Sequence, residues 1–526
     1  MARMWNYIFG AAADQMRPFN DELIYGFRKK KIDLIPEYLD KSFHQAMEFF
    51  NGQMTYKGYR TLTPEERIDY LVSNQLTKGS YSIRKTETAL VRFEFEFRGK
   101  PYFIHIDVPY LVNEHVLYND TKYYPQFPIV EKGGVNRTDN GTVIVKVMRV
   151  PITFGRRPSD KARLISTSGN IYTEMLVTVK IHQGGNSGEK SDHIPLVLYH
   201  LCKLGYNKAL RLYKMDPADI SISATFDNND KTYDYFILAD ATRYLKVRRS
   251  IMDDCYKRRM VLSLYKIFAE IQEFSPSDVF SDDPAYYCAV LGKYIGSKDA
   301  NMTKLLLPNA IKHLKMTDPM LDLVAKDQLR YVGCNANDVY DLLYWMYFNI
   351  DDQLVTYDPM DLFDKKIESL DNLAGRPARQ IAYVQYGIIN SKKTILDERT
   401  VENFCKKSSQ RPSWVVIDES NRSSKVFRAN PDAFNDNFLL TIGLARCLSL
   451  ESIASSSARK KKGGSKNKTS PFLLKAHPSQ VIVTAMLDIP TSSPIETGSV
   501  SPYIEIDEDG NFIKPSYASE LSQVFK

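Results

Sequence analysis

The sequence has 526 residues, of which 43% are hydrophobic and 25% are charged. These proportions suit a folded protein of roughly two to four domains and exclude a fibrous or wholly disordered chain. The formal net charge is +7, from 70 lysines and arginines against 63 aspartates and glutamates. Such a small surplus favours a polyanionic partner only if it is concentrated in one place.

The first clear elements lie between residues 34 and 106. Apolar residues recur at helical spacing over 34–50, which predicts an amphipathic helix. Val91, Phe93, Phe95 and Phe97 then alternate with charged residues, and a second alternating run follows a turn at Gly99. This period of two predicts a half-buried β-hairpin.

The middle of the chain predicts strands first and helices afterwards. Strands are expected over 143–154 and 171–181, and a helix over 195–215 with a proline near its start. From 251 to 363 the apolar spacing is mostly helical. Strands followed by helices indicate an α+β fold with several domains.

The last part of the chain combines a helix, a basic loop and short strands. A long helix is predicted over 432–452, and a loop rich in serine, glycine and lysine follows it. Short strands are predicted over 481–487 and 503–506. Asp509 and Gly510 are expected at a hairpin turn.

The loop carries the whole charge surplus, and we call residues 459–475 the basic segment. It has no acidic residue and seven cations: Arg459, Lys460, Lys461, Lys462, Lys466, Lys468 and Lys475. Lysines on a flexible loop neutralise phosphates without reading bases, which suits a nucleic-acid channel. A solvated tail or a localisation signal would have the same composition. The position of the segment between structured elements favours the channel.

Evidence for catalytic or metal chemistry is weak. The phosphate-binding, dinucleotide-binding, nucleophile-elbow and zinc-protease motifs are absent from the sequence. Asp507, Glu508 and Asp509 are better explained as a hairpin tip than as a metal-binding carboxylate cluster. His193 and His200 have no third ligand in reach and are interpreted as helix-end or core histidines. We therefore assign no catalytic residue, metal or cofactor to this chain.

The cysteines and the apolar runs indicate a cytosolic protein. The six cysteines are far apart and form no C-x-x-C pair, which is typical of reduced, partly buried thiols. Asn6 interrupts the only stretch that imitates a secretory signal, and no apolar run has transmembrane length. We expect no membrane association.

Four stretches resemble, in the correct order, the β subunit of multisubunit DNA-dependent RNA polymerases. The first two are Asp107-Val-Pro-Tyr-Leu-Val with Tyr118-Asn-Asp-Thr-Lys, and the run over 193–206 that ends in Leu-Gly-Tyr. The third, Asp371-Asn-Leu-Ala-Gly-Arg-Pro-Ala-Arg, is similar to the family's D-H-L-G-N-R-R-V-R. It retains Asp371, Arg376 and Arg379 but has Pro377 in place of an arginine.

The fourth stretch is similar to the fork region of that family. It comprises Leu448-Ser-Leu-Glu, Ala476-His-Pro-Ser-Gln, Pro494-Ile-Glu-Thr and Glu508-Asp-Gly-Asn-Phe-Ile. His477, Pro494 and Glu496 are its motif residues. After Thr497 the chain departs from the family's P-E-G-P, and its loop lacks the aromatic and histidine residues with which the family binds rifamycins.

The resemblance implies a domain order and a role. We expect a protrusion formed by 1–135 and 361–450, a lobe at 136–360 and a fork region at 451–526. The chain would be the amino-terminal half of a split β subunit, as in giant phiKZ-like bacteriophages. It would contact downstream DNA and the transcription bubble through the basic segment, Arg376 and Arg379.

The same resemblance implies partners. They are DNA, RNA, the carboxy-terminal half of β and β′-like subunits that hold the catalytic Mg²⁺, with a promoter-specificity subunit as a further candidate. The nucleotidyltransferase would work in the host cytoplasm or be packaged in the virion, and the isolated chain would be inactive. Two alternatives remain open: a phage replication accessory protein that clamps single-stranded DNA, and a virion structural protein that touches packaged DNA.

Overall fold

The computed structural model describes about three fifths of the chain, and the fold is given for those residues alone. They are 34–48, 52–76, 88–109, 111–112, 116–119, 122–125, 129–131, 135–138, 141–147, 150–181, 194–227, 229–238, 242–270, 279–280, 282–295, 303–317, 320–355, 361–367, 396–409, 427–428, 449–451, 478–483, 497–499, 501, 504–507 and 510–516. The chain divides into two compact units. Unit 1 consists of Met1–Lys132 and Asp358–Lys526, and unit 2 of Gly133–Tyr357.

Helices and strands are numbered in chain order. The helices are α1 Leu34–Glu48, α2 Pro64–Leu76, α3 Val197–Leu204, α4 Tyr206–Leu212, α5 Cys255–Phe268, α6 Ala285–Ile295, α7 Thr303–Thr317, α8 Leu323–Arg330, α9 Val339–Val355, α10 Glu398–Ser408 and α11 Pro478–Val483. The first strands are β1 Thr55–Thr61, β2 Thr88–Phe97, β3 Lys100–Pro109, β4 Leu111–Val112, β5 Val116–Asn119, β6 Lys122–Pro125, β7 Ile129–Glu131, β8 Val135–Thr138, β9 Thr142–Val147, β10 Val150–Gly155 and β11 Lys161–Ile165. The others are β12 Ile171–Met175, β13 Thr178–Ile181, β14 Ile194–Pro195, β15 Ile220–Ser223, β16 Tyr233–Ile237, β17 Tyr244–Arg248, β18 Lys365–Ile367, β19 Phe427–Arg428, β20 Ser449–Glu451 and β21 Thr497–Ser499.

Unit 1 contains an antiparallel sheet of order β1-β2-β3. One face of the sheet is buried against α1, where the Phe43 ring lies 4.9 Å from the Phe93 ring and 5.2 Å from the Phe95 ring. The amphipathic pattern of α1 and the alternation of β2 explain this core, because both elements place phenylalanines on one face. Helix α10 packs beside β3 and contributes Phe404 to the same cluster. Smaller sheets in unit 1 are β19-β6-β5-β4, β18-β7 and β20-β21.

Unit 2 is built from two antiparallel sheets, a two-stranded ribbon and seven of the described helices. The sheets have the orders β14-β13-β10-β9-β8 and β15-β17-β16, and β11 pairs with β12 to form the ribbon. Helix α5 packs on one face of the ribbon. The unit mixes helices and sheets, so the predicted α+β class is confirmed.

Several predicted elements are confirmed, whereas others are divided differently. The helix over 34–50 and the hairpin of β2 and β3 are present, and the described part of 251–363 is mostly helical, from α5 to α9. The 143–154 strand is instead a hairpin of β9 and β10, and the 171–181 strand is split between the ribbon and the five-stranded sheet. The split follows Met175, because Leu176 donates its N–H to the Asp160 carbonyl at 3.2 Å.

The predicted helix over 195–215 ends early at Gly205. This glycine has φ of 75° and separates α3 from α4. A Cβ at this position would lie 2.5 Å from the backbone oxygen of Asp282, so the chain requires glycine for two reasons at once. Pro195 lies in β14 rather than in the first helical turn.

Predictions near the carboxyl end were partly wrong. Residues 449–451 form β20 instead of the end of a helix, and 478–483 form α11 where a strand was expected from 481. The hairpin turn at Gly510 is confirmed, because Gly510 donates its N–H to the Asp507 carbonyl at 2.9 Å. Ile506 and Phe512, on either side of the turn, form an antiparallel β-bridge. Most of the predicted 432–452 helix lies outside the described residues.

Candidate nucleic-acid interface

The sequence-predicted site residues lie outside the part of the chain that the structure describes. This holds for all seven cations of the basic segment. It also holds for the remaining predicted residues: Asp371, Arg376, Arg379, His477, Pro494 and Glu496. The contacts that we expect of them with nucleic acid stay predictions.

In unit 1, one of two paired strands precedes the basic segment in the chain and the other follows it. Strands β20 and β21 are antiparallel, with Ser449 opposite Ser499 and Glu451 opposite Thr497. Neighbouring strands lie about 5 Å apart. The chain therefore leaves this ladder after Glu451, passes through the basic segment, and returns to the same ladder at Thr497.

The described residues beside the other motif segments are joined by hydrogen bonds. Leu362, just before β18, donates its N–H to Ser479 Oγ of α11 at 2.8 Å. Ser501, just after β21, donates its N–H to the Val483 carbonyl at 2.8 Å. Helix α11, which follows His477, is thus hydrogen-bonded both to the segment that leads to Asp371 and to the segment that follows Glu496. These three segments form one connected group within unit 1.

Strand β18 carries two buried lysines that sequence reasoning missed. Lys365 and Lys366 are 8% and 1% exposed, and both have interaction partners. Burial of an ammonium group is costly unless it is paired, which agrees with the interaction partners that both lysines have in the strand that leads toward Asp371. No pattern in the sequence distinguishes them from the many exposed lysines.

In unit 2, the carboxylate of Asp234 is a fully buried hydrogen-bonding centre. Tyr172 Oη donates to it at 2.6 Å, and Arg249 forms an ion pair with it at 3.2 Å. Ser168 Oγ and Asn170 Nδ2 also donate, at 3.0 and 3.1 Å. Burial alone would raise the pKa of Asp234, but these donors stabilise the charged form and the net effect is a lowered pKa. The arrangement fixes the turn between β11 and β12 against β16.

A second ionic group joins the sheets of unit 2 to its helices. Glu174 of β12 forms ion pairs with Arg156 and Arg258, and Asp351 of α9 forms ion pairs with Arg156 and Arg259. The pKa of Arg156 is lowered most by burial and next most by the positive charge of Arg259. Because both carboxylates already have arginine partners, this group is an internal ionic link and not a free phosphate site.

One face of the β15-β17-β16 sheet combines aromatic and basic side chains. The Lys246 ammonium lies 4.1 Å from the Tyr233 ring centroid, and the rings of Phe226 and Tyr244 are 4.7 Å apart. Single-stranded nucleic acids stack on such rings when nearby cations are available. Here Arg248 is already paired with Asp219 at 3.1 Å, so the face does not offer the excess positive charge that phosphates require.

The buried histidines have structural roles. His200 donates Nε2–H to the Tyr340 carbonyl at 3.1 Å and accepts a hydrogen bond from Tyr213 Oη at 2.9 Å, so its interpretation as a core histidine is confirmed. Burial lowers the pKa of His200 and that of His313 to about 4, which leaves both rings neutral at pH 7. His193 lies outside the described residues.

Neither a metal-binding cluster nor a membrane-spanning helix occurs in the described ranges. Within them, no three histidine, cysteine, aspartate or glutamate side chains come together as metal ligands. None of the helices placed in the structure is long and apolar enough to cross a membrane.

Residues 1–442 match a family model described as non-virion RNA polymerase subunit. The matched span includes unit 2 as well as Asp371, Arg376 and Arg379, and it ends before the basic segment. A search of curated proteins finds no match to the chain.

Proposed function

The chain belongs to the non-virion RNA polymerase subunit family, and from this premise we propose that it is the amino-terminal half of a split, β-like subunit of a phage multisubunit RNA polymerase. In this assignment the polymerase is a DNA-directed nucleotidyltransferase that acts in the cytoplasm of the infected cell. The chain forms one side of the DNA cleft and contributes positioning and electrostatics rather than acid–base or metal chemistry. It is inactive by itself.

The observation that carries the proposal is the family match over 442 residues combined with the ordered series of β-like motifs. The division of the chain adds support. Unit 1 is made of two separated chain segments and unit 2 is inserted between them, which is the arrangement expected of a protrusion at 1–135 and 361–450 with a lobe at 136–360. The fork at 451–526 belongs to the second segment of unit 1.

The basic segment is assigned to the nucleic acid of the transcription bubble. Its support is an uncompensated charge equal to the net charge of the whole chain, together with its place between β20 and β21. Each lysine that neutralises a phosphate releases a counterion, so the contact strengthens binding without reading sequence. Arg376 and Arg379 are proposed to contribute in the same way.

The catalytic Mg²⁺ is assigned to a β′-like partner. The proposed partners are the carboxy-terminal half of β, β′-like subunits and a promoter-specificity subunit, with DNA and RNA held between them.

Affinity purification of the tagged full-length chain from infected cells tests the proposal. The expected result is stoichiometric recovery of β′-like chains that contain D-F-D-G-D, together with a second β-like chain and RNA synthesis from phage DNA. Recovery of a homo-oligomer alone would favour a virion structural protein. Tight binding of the purified chain to single-stranded DNA, with no partner subunit, would favour a replication accessory protein.

A further inference from the structure

The outer face of the β11–β12 ribbon is largely exposed: five of its six residues are exposed, and Met175 is half-buried. Leu164 and Tyr172 lie on the inner face, which packs against α5. The outer face consists of three cross-strand pairs: Lys161 with Met175, Arg163 with Thr173, and Ile165 with Ile171. The side-chain alternation of a strand places all six residues on the side away from α5.

Two isoleucines form an exposed apolar pair at the tip of this face. Ile165 is 54% exposed, and Ile171, directly opposite, is 55% exposed. A single exposed isoleucine is ordinary on a protein surface. A contiguous exposed pair of β-branched residues at the end of the ribbon is less ordinary, and exposed apolar patches mark surfaces that contact other proteins.

The tip is held rigidly although its isoleucines face solvent. Thr167 of the turn donates its N–H to the Tyr235 carbonyl of β16 at 2.9 Å, and Asn170 donates its N–H to Ser166 Oγ at 2.9 Å. Asn170 also reaches the buried carboxylate of Asp234. A surface that is ordered before binding loses little conformational entropy when a partner docks, which favours a recognition role.

The charges of the face indicate the chemistry of its partner. Lys161 and Arg163 are exposed and form no ion pair with any other described residue, and the six outer residues include no acid. A partner that complements this face has an apolar side chain for the tip and carboxylates for the base of the ribbon. A nucleic acid would satisfy the cations but would leave the isoleucine pair against polar sugar and phosphate.

We infer that the outer face of the β11–β12 ribbon is a docking site for a segment of another polymerase subunit that presents an apolar side chain beside one or more carboxylates. The inference rests on the proposed function for the existence of partner subunits. It does not depend on the assignment to β or on the basic segment. Electrostatic attraction selects and orients this segment, while burial of the isoleucines supplies most of the affinity.

Site-specific crosslinking within the assembled polymerase tests the inference. Ile171 is replaced by the photoreactive residue p-benzoyl-phenylalanine in the tagged full-length chain, and the complex is purified and irradiated. The expected product joins this chain to a peptide of another subunit that has aspartate or glutamate beside an apolar residue. The same substitution at Ile311, which is 41% exposed on α7, is the control. A crosslink to DNA or RNA, or no crosslink, would overturn the inference.

A pair of variants provides the quantitative test. Ile165→Ser with Ile171→Ser is expected to lower recovery of the docked subunit about tenfold or more, because interface anchors dominate affinity. The melting temperature of the isolated chain should not change, since both side chains are already exposed. Ile311→Ser should leave recovery unchanged.

A second variant addresses the charges. Lys161→Glu with Arg163→Glu should reduce recovery of the same subunit, and lower salt should not rescue it. If the unaltered chain recovers its partners and both ribbon variants recover them equally well, the docking inference fails alone. If the unaltered chain recovers no polymerase subunit, the proposed function fails and this inference fails with it.

Discussion

Replacement of Asp234 by alanine should destabilise unit 2 strongly. The carboxylate is fully buried and accepts hydrogen bonds from four side chains, among them Tyr172 at 2.6 Å and Arg249 at 3.2 Å. A hydrogen bond to a charged group contributes about 1.5–3 kcal/mol, but such contributions do not add within one network. Arg249 remains about one third exposed and can regain water, which limits the penalty of losing its partner. The expected loss is about 3–5 kcal/mol, the range seen when one member of a buried ion pair is removed.

The stability loss of the Asp234→Ala variant is best measured by amide hydrogen exchange, because exchange reports the stability of each unit separately. Peptides that cover β11, β12, β16 and β17 should lose protection, whereas peptides of the β1-β2-β3 sheet in unit 1 should not. Asp234→Asn preserves the shape but not the charge and should cost about half as much. Asp253→Asn, at an exposed aspartate of the same unit, is the control. A loss below about 1 kcal/mol, or unchanged protection of the β11–β12 turn, would refute the view that this carboxylate fixes the tip.

Three further predictions concern nucleic-acid binding, acid stability and Gly205. Alanine at the three consecutive lysines 460–462 should weaken DNA binding by the assembled polymerase without sequence preference and reduce the slope of log K against log salt by about 3. The control replaces three exposed lysines of unit 2 instead: Lys208, Lys312 and Lys315. Because burial lowers the pKa of His200 and His313 to about 4, protonation favours the unfolded chain, so stability is complete above about pH 6.5 and falls as the pH drops toward 4. Urea unfolding should show a loss of about 2 kcal/mol per histidine between pH 8 and pH 5, and His200→Gln with His313→Gln should flatten that dependence. Gly205→Ala should cost about 3 kcal/mol or more in thermal unfolding, because positive φ and a clash with Asp282 act together. Gly333→Ala has a similar φ of 79° but open space, and should cost only about 1 kcal/mol.

The helices and strands that could be predicted from the sequence are those with one face packed on an element nearby in the chain. Strand β2 alternates phenylalanine with charged residues because one face packs on α1 and the other meets solvent, so the period of two is visible in the sequence. Helix α1 is visible for the same reason. The β15-β17-β16 sheet was not predicted, because its polar turns and short strands produce no long alternation.

The errors arose where tertiary contacts decide the outcome. The apolar spacing of 195–215 continues across Gly205, and only the approach of the Asp282 backbone explains why the helix must stop there. The stretch 171–181 is uniformly rich in strand-forming residues, so nothing local shows that β12 and β13 join different sheets. Nor does the sequence pattern distinguish Asp234 as a buried centre, because three of its four donors come from the ribbon, more than sixty residues earlier.

The two proposed surfaces of this subunit can be separated by their response to salt. The basic segment should act through counterion release, so the free energy of its contact with nucleic acid falls steadily as salt rises. The isoleucine pair of the ribbon should act through burial of apolar surface, which moderate salt does not weaken. Assembly of the polymerase should therefore survive a salt step that releases its DNA. If subunit recovery and DNA binding instead decline in parallel over a salt series, the ribbon is held by charge alone, and Lys161 and Arg163 rather than the isoleucines would be its anchors.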